Sequence, residues 1–340
     1  MGGGSDVSYL YVCEQGAVVG IGGNRFQVKY KDGMLKSIPA ETLEVIEVFG
    51  KIQFTTQCLE ECLQRGISVI FYSSNGAYYG RLISTSHVNV HRQRLQADIG
   101  KDEAFKLAFS KRIISAKIRN QIVILRRYAR TGLHNIDRSV VEMQYMDSKV
   151  NNGKNIEQIM GYEGNAARVY FKTIGELIET DFFFQKRTRR PPLDPYNSMI
   201  SLGYSIMLNE IYGKLEAKGL NPYFGLMHKD REKHPTLASD LMEEWRAVLI
   251  DSTALSMVNG HEVRKEDFYN NCDNPGVFLG KDVFKKYILK LENKFRTKTR
   301  YLSYVDYSVS FRHALDLQVN QLVKALETRD PTEYKPIIIR

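Results

Sequence analysis

Apolar residues recur at every second position through roughly the first eighty residues and at three- and four-residue intervals from about residue 100 onward. Segments 7–12, 17–21, 25–30, 34–38, 43–49, 67–72 and 77–82 are short and rich in β-branched and aromatic side chains, as strands require. Lys31-Asp32-Gly33 and Ser73-Ser74-Asn75-Gly76 supply turn chemistry. Segment 55–65, stopped by Gly66, fits one short helix. The pattern predicts a small β-domain over 6–84. It carries no cluster of ionisable groups suited to catalysis, so scaffolding or dimerisation is its expected role.

Between 85 and 95 the alternation gives way to polar and basic residues, including His87 and His91, and a linker is expected there. The remainder, 96–340, has helical periodicity. Segment 101–130 places Phe105, Phe109, Ile113, Ala116 and Ile124 among an apolar set and carries nine Lys or Arg against Asp102 and Glu103. Such a surplus of one sign forgoes the neighbouring ion pairs that stabilise a solvated helix, which favours a phosphate-facing side. Polar residues 132–154 read as including a loop. Helices are expected over 198–218, 281–295 and 306–326, and 333–340 reads as a tail able to pack across a neighbour.

The helix around Gly161-Tyr162-Glu163-Gly164 is different. Met160, Glu163, Ala167, Tyr170 and Ile174 share one helical face, so a carboxylate points into the apolar side, where it needs a cationic partner. Small residues at Gly161, Gly164, Ala166 and Ala167 leave room for a helix, a metal ion or a phosphate to come close. Downstream, a loop delivers His228, and Pro235-Thr236 opens a helix on which Asp240 and Glu243 overhang one strip. Together with Glu163 these form an imidazole and carboxylate set suited to Mn2+ or Mg2+. A solvated helix face with a loop histidine is the plainer alternative. Lys186-Arg187-Thr188-Arg189-Arg190-Pro191-Pro192 forms a basic loop interrupted by proline, suited to holding a phosphodiester backbone without reading bases.

Charge and cysteine content narrow the class. A formal charge of +9 and a pI near 9.2 predispose the surface to polyanions. No run of about 18 apolar residues and no export leader is seen, so no membrane span is expected. The four cysteines, Cys13, Cys58, Cys62 and Cys272, are too scattered for zinc and too few for a disulfide framework. Packing thiols in a reducing cytoplasm are expected. Met1 to Ser5 reads as a flexible tail.

Three blocks, GYEGNAARVYF, RRPPLDPYNSMISLGYSIM and GLNPYFGLMHKDREKHPTLASDLMEEWR, in this order and spacing, resemble the CRISPR-associated adaptation integrase, the universal first Cas protein. The resemblance covers most of the chain. It implies an α+β protein, with an N-terminal small β-domain followed by a larger all-helical catalytic and DNA-binding domain. It implies catalytic and metal-binding roles for Glu163, His228 and Glu243, with Asp240 as a further nearby acid and Mg2+ or Mn2+ as the cofactor. The last acid is often Asp in that family and is Glu here, which leaves the division between Asp240 and Glu243 open. Arg187, Arg189 and Arg190 are the candidate DNA contacts.

The implied reaction is attack of a 3′-hydroxyl on a phosphodiester, inserting a double-stranded prespacer at the CRISPR leader-repeat junction. The implied partners are a second copy of the chain, joined through the β-domain, and the small second Cas protein. A non-catalytic DNA-binding scaffold and a metal-dependent hydrolase of small phosphoesters are the competing functions.

Overall fold

The computed structural model describes residues 8–132, 134–270 and 275–340; the tail Met1 to Ser5 and Cys272 lie outside the described residues. The chain divides between Val88 and Asn89 into two compact units.

The first unit is built from short amphipathic strands. They are β1 (Ser8–Val12), β2 (Val18–Gly22), β3 (Arg25–Lys29), β4 (Leu35–Pro39), β5 (Leu43–Phe49), β6 (Gln53–Phe54), β7 (Ser68–Tyr72) and β8 (Tyr78–Leu82), with helix α1 (Thr56–Arg65) between β6 and β7. They form two four-stranded sheets, ordered β1-β5-β7-β8 and β4-β3-β2-β6. Val12, Val19, Phe26, Ile46 and Val69 fill the core, with Cys58 and Cys62 of α1 buried among them. Thr55 caps α1 by accepting from the Cys58 N–H at 3.2 Å, and Gly66 ends it at φ 71°.

The second unit is mostly helical. The polar segment after residue 84 is more ordered than a linker: Asn89 accepts from the Arg92 N–H at 2.9 Å and starts α2 (Val90–Ile99). His87 and His91 accordingly belong to different elements. Helices α3 (Glu103–Gly132), α4 (Asp137–Asn152) and α5 (Ile156–Leu177) pack on one another. Helix α4 occupies most of the segment expected to be a loop. Its buried positions are few (Val140, Met143, Val150), Val141 and Tyr145 face solvent, and Ile136 offers no side-chain cap, so its start carries no signal.

The long α6 (Pro195–Ala217) is buried along most of its length. It is followed by α7 (Thr236–Met242), a π-helical turn over Arg246–Asp251, α8 (Ser252–Asn259), α9 (Lys281–Arg296) and α10 (Phe311–Thr328). Two short antiparallel ribbons interrupt the helices: β9 (Phe268–Asn270) with β10 (Val277–Leu279), and β11 (Lys298–Thr299) with β12 (Val309–Ser310). The second ribbon takes the start of the helix expected from residue 306. Ser310 caps the helix that remains, accepting from the His313 N–H at 3.2 Å. No described helix is long and apolar enough to cross a membrane.

Helix α5 carries Glu163 and is buried along Ile159, Ala166, Val169, Tyr170, Thr173, Ile174 and Leu177. Its first turn depends on Asn155, whose side chain accepts from the Gln158 N–H at 2.9 Å. Asn155→Ala should lower unfolding free energy by about 1 kcal/mol, and Asn155→Ser should restore most of it. Denaturant midpoints of the three chains at constant m-value check this.

Candidate functional site

Glu163 finds its cationic partner on α3. The Lys117 ammonium is buried between Glu163 Oε1, with which it hydrogen-bonds, and Glu243 Oε2 at 2.6 Å. Arg246 Nε approaches the other oxygen of Glu243 at 3.1 Å. Glu243 is thus held from both sides, by an ammonium at Oε2 and a guanidinium at Oε1. Three elements thus meet in one charge cluster: the middle of α3, the second turn of α5, and the residues directly after α7.

Burial works against every charge here, and the neighbours outweigh it. Lys117 loses solvation, yet Glu163 and Glu243 hold its pKa above the ordinary lysine value. Burial would raise Glu243, but Arg246, Lys117 and His228 bring it down to about 2.

His228 stands on a loop held by Asp240, which is completely buried. Asp240 Oδ2 accepts from the Leu226 and Met227 N–H groups at 2.8 and 2.9 Å, and Oδ1 accepts from the His228 N–H at 3.3 Å. The loop must come this close, and Gly225 permits it: a Cβ there would lie 2.4 Å from Thr236 Cγ2 and 2.8 Å from the His228 carbonyl oxygen. His228 Nδ1 lies 2.6 Å from Asp240 Oδ1. That bond assigns the Nδ1 proton and leaves the Nε2 lone pair outward. Burial would lower the imidazole pKa, but the hydrogen bond and charge of Asp240, with Glu243, raise it. Both oxygens of Asp240 are engaged by the loop and the imidazole, which makes it the residue that orients His228.

Behind Glu243, the Arg246 guanidinium covers the Tyr204 ring at 4.5 Å, and Arg187 covers the same ring at 5.4 Å. The Tyr204 hydroxyl donates to Asp251 Oδ1, and Tyr170 donates to Asp251 Oδ2 at 2.9 Å. Burial raises the Asp251 pKa to about 6 despite those bonds. Arg187 was expected on the DNA-facing loop but is drawn inward. It donates to Asn197 Oδ1 at 2.8 Å, to Ser201 Oγ at 3.0 Å and to the Thr188 carbonyl oxygen. Arg189 and Arg190 are exposed on the same loop.

The tail locks the other side. Asn120, one turn from Lys117 on α3, donates to the carbonyl oxygens of Glu244 and Ile337 at 3.0 and 3.1 Å, and accepts from the Ile339 N–H at 2.9 Å. The Glu244 carboxylate accepts from Tyr334 Oη at 2.6 Å and the Ile337 N–H at 2.9 Å. Gln318 donates to the Leu241 carbonyl oxygen and accepts from Trp245 Nε1. Residues 334–339 therefore pack on their own chain, beside the segment bearing Glu243. By sequence alone Lys117 is one of nine cations in segment 101–130 and Arg246 has no assigned role, although Glu243 and Arg246 stand three apart, the spacing of a helical ion pair.

A family model described as CRISPR associated protein Cas1 matches residues 10–293. The CRISPR-associated endonuclease Cas1 of Mycobacterium tuberculosis is 35% identical over 330 residues, 97% of each chain. Among solved structures, a casposase bound to integration product matches with a TM-score of 0.84 at 19% identity, over 98% of this chain and 96% of that one. A chain of a Cas6-RT-Cas1–Cas2 complex matches with a TM-score of 0.83 at 24% identity. That match covers 98% of this chain, which spans 36% of the longer one. At such identities the two structures establish a shared fold.

Burial raises the Glu244 pKa from 4.5 to about 8, against its hydrogen bonds from Tyr334 and Ile337. Across that window the folded chain keeps a proton that the unfolded chain has released, so stability falls as pH rises. Glu244→Gln, which mimics the protonated acid, should melt increasingly above the parent chain from about pH 5 to about pH 8 and then hold a constant margin. Paired melts across that range check the sign; a margin independent of pH would contradict it.

Proposed function

The chain belongs to the Cas1 family and is a CRISPR adaptation integrase related to endonucleases of that family, and from that premise we propose that Glu163, His228 and Glu243 hold a divalent Mg2+ or Mn2+ ion. The observation carrying this reading is the convergence of two carboxylates from separate helical segments on one buried cation, with an oriented imidazole near enough to influence Glu243. The donor set suits the ion: two carboxylates with hard oxygen ligands and one imidazole whose Nδ1 is fixed by Asp240.

A divalent ion bound there supplies charge neutralisation at the non-bridging phosphate oxygens and stabilises the entering or leaving oxygen. The protein supplies position. Asp240 fixes the imidazole tautomer so that Nε2 faces outward, and Tyr204 holds Arg246 beside Glu243. In the reaction an O–P bond forms from the attacking 3′-hydroxyl as the bond to the displaced 3′-oxygen breaks. One phosphodiester replaces another, the attacking hydroxyl loses its proton, and the displaced oxygen gains one. Water in place of the 3′-hydroxyl gives endonuclease cleavage.

Arg189 and Arg190, exposed on the loop that carries Arg187, are the proposed backbone contacts. Double-stranded DNA, as prespacer and as leader-repeat, is the proposed substrate. The small second Cas protein and a second copy of this chain, joined through the N-terminal unit, are the proposed partners. The fold shared with a chain of a Cas1–Cas2 complex supports the first of these partners. The cytoplasm is the proposed compartment, in keeping with Cys58 and Cys62 as buried packing residues of α1.

Helix α5 offers a second support. Gly161 and Gly164 flank Glu163, and a Cβ at either would meet nothing within 4 Å. Packing therefore does not require glycine there, although each costs helix stability. Close approach of a DNA backbone does account for it. Gly164→Ala should raise unfolding free energy by about 0.5–1 kcal/mol while weakening DNA binding. Unchanged DNA affinity in the stabilised variant would remove this support.

With Mn2+ or Mg2+, the protein should rejoin branched DNA bearing a free 3′-hydroxyl. Glu163→Ala and His228→Ala should abolish rejoining while leaving DNA affinity intact, and Glu163→Ala, which strips buried Lys117 of one partner, should also melt lower than the parent. Asp240→Asn should retain the ion and slow transfer by about 10–100-fold, as expected of a residue behind a ligand. Full transfer by both alanine variants would favour a DNA-binding scaffold instead.

A further inference from the structure

We propose that Lys117 is the resident counter-ion of this site: its ammonium takes the place between Glu163 and Glu243 that a divalent ion claims, and metal loading is an exchange in which the lysine withdraws. The inference rests on the metal-site reading above and specifies how that site is kept before it is filled.

Three observations carry it. Lys117 Nζ contacts both carboxylates from a position that is only 9% exposed. Among the described residues, no three His, Cys, Asp or Glu side chains stand together in an arrangement that would hold a metal ion. The carboxylates are turned onto the ammonium and the imidazole onto Asp240. Finally, each carboxylate already faces a cation, with Lys117 against both Glu163 and Glu243 and Arg246 against Glu243. A divalent ion added with both cations still seated on its ligands would stand directly against like charge, which a site of low dielectric makes costly.

One cation must therefore leave, and the two differ in how they are held. Arg246 is planar, stacks on Tyr204 and contacts Glu243 within the same helical segment. Lys117 carries a compact charge on a flexible four-carbon stem. Lys117 is the group able to retreat.

The exchange makes Mn2+ affinity weaker than the bare carboxylates would give. It also makes Lys117 a positioning residue, holding Glu163 and Glu243 together while the chain is metal-free. Removing its charge should tighten metal binding even though it loosens the metal-free fold. A merely structural lysine would do only the second.

The test uses the full chain and Mn2+ alone, titrated by calorimetry and by the electron paramagnetic resonance signal of free Mn2+, with no DNA present. Lys117→Met should bind Mn2+ at least about tenfold more tightly than the parent, a difference of about 1.4 kcal/mol. It should also melt lower in chelator and gain more than the parent from saturating Mn2+. Lys117→Arg, which keeps the charge, should bind no more tightly than the parent. Equal or weaker Mn2+ binding by Lys117→Met overturns the proposal. Should that variant melt too low to titrate, Lys117→Arg decides, because tightened binding with the charge retained overturns it as well. Glu163→Gln and Glu243→Gln separate the two failures. If they lose Mn2+ and Lys117→Met does not gain it, the lysine proposal alone fails; if they bind Mn2+ like the parent, the metal-site reading itself falls.

Discussion

The second unit is arranged around one electrostatic constraint: carboxylates from α5 and from the end of α7 are brought together out of water, and something positive must stand between them. In the protein as folded, that is the Lys117 ammonium, with Arg246 on the far side of Glu243. An ion pair of this kind is weak evidence of net stability, because desolvating both partners costs about as much as their attraction returns. Its consequence is geometric. Helices α3 and α5 and the segment after α7 cannot slide past one another without exposing an unpaired buried charge, so their mutual register is fixed at Glu163, Lys117 and Glu243.

Two further layers transmit that register. On one side Asp240 gathers three consecutive backbone N–H groups and the His228 imidazole, turning a loop into a rigid mount. On the other, Asn120 and Gln318 bind main-chain carbonyls of the Glu243 segment, while Tyr334 and Ile337 engage Glu244. The π-helical turn from Arg246 to Asp251 lies between these layers. Its first residue stacks on Tyr204, whose hydroxyl binds its last. The His228 loop and the Glu243 segment are thus fixed mainly by Asp240, Asn120, Gln318 and the 334–339 tail rather than by each other.

What was legible in the sequence follows from how local each signal is. The strands and turns of the first unit, and the helix bearing Glu163, depend on periodicity within a short window and were readable. Helix α4 was not, because its core contribution is thin and its start lacks a capping side chain. Motif order singles out Glu163, His228 and Glu243 as candidates, but the partner each one takes is a long-range fact. Lys117 lies 46 residues before Glu163 in sequence and looks like its exposed neighbours Arg126 and Arg130. Likewise, Asp240 and Glu243 are chemically similar and three residues apart. Only the contacts around Leu226, Met227 and His228 show that the first orients and the second faces the lysine. Arg187 reads as one more cation of a basic loop, and nothing nearby announces that Asn197, Ser201 and Tyr204 will take it inward.

A site that must meet a polyanion adds a last constraint. Two ionised carboxylates facing a phosphodiester repel it, and more strongly the less water lies between them. A chain carrying +9 overall still presents that local repulsion wherever the acids stand uncompensated. Pairing Glu163 and Glu243 with Lys117 and Arg246 offsets both carboxylates, so a polyanion approaching them meets less negative charge than bare acids would present. A divalent ion taking the ammonium's place, as proposed above, would make the same two carboxylates the base of a positive centre. On this reading the acids do not have to be kept apart to avoid one another or the substrate; they are held together by a lysine whose flexible stem lets it give way.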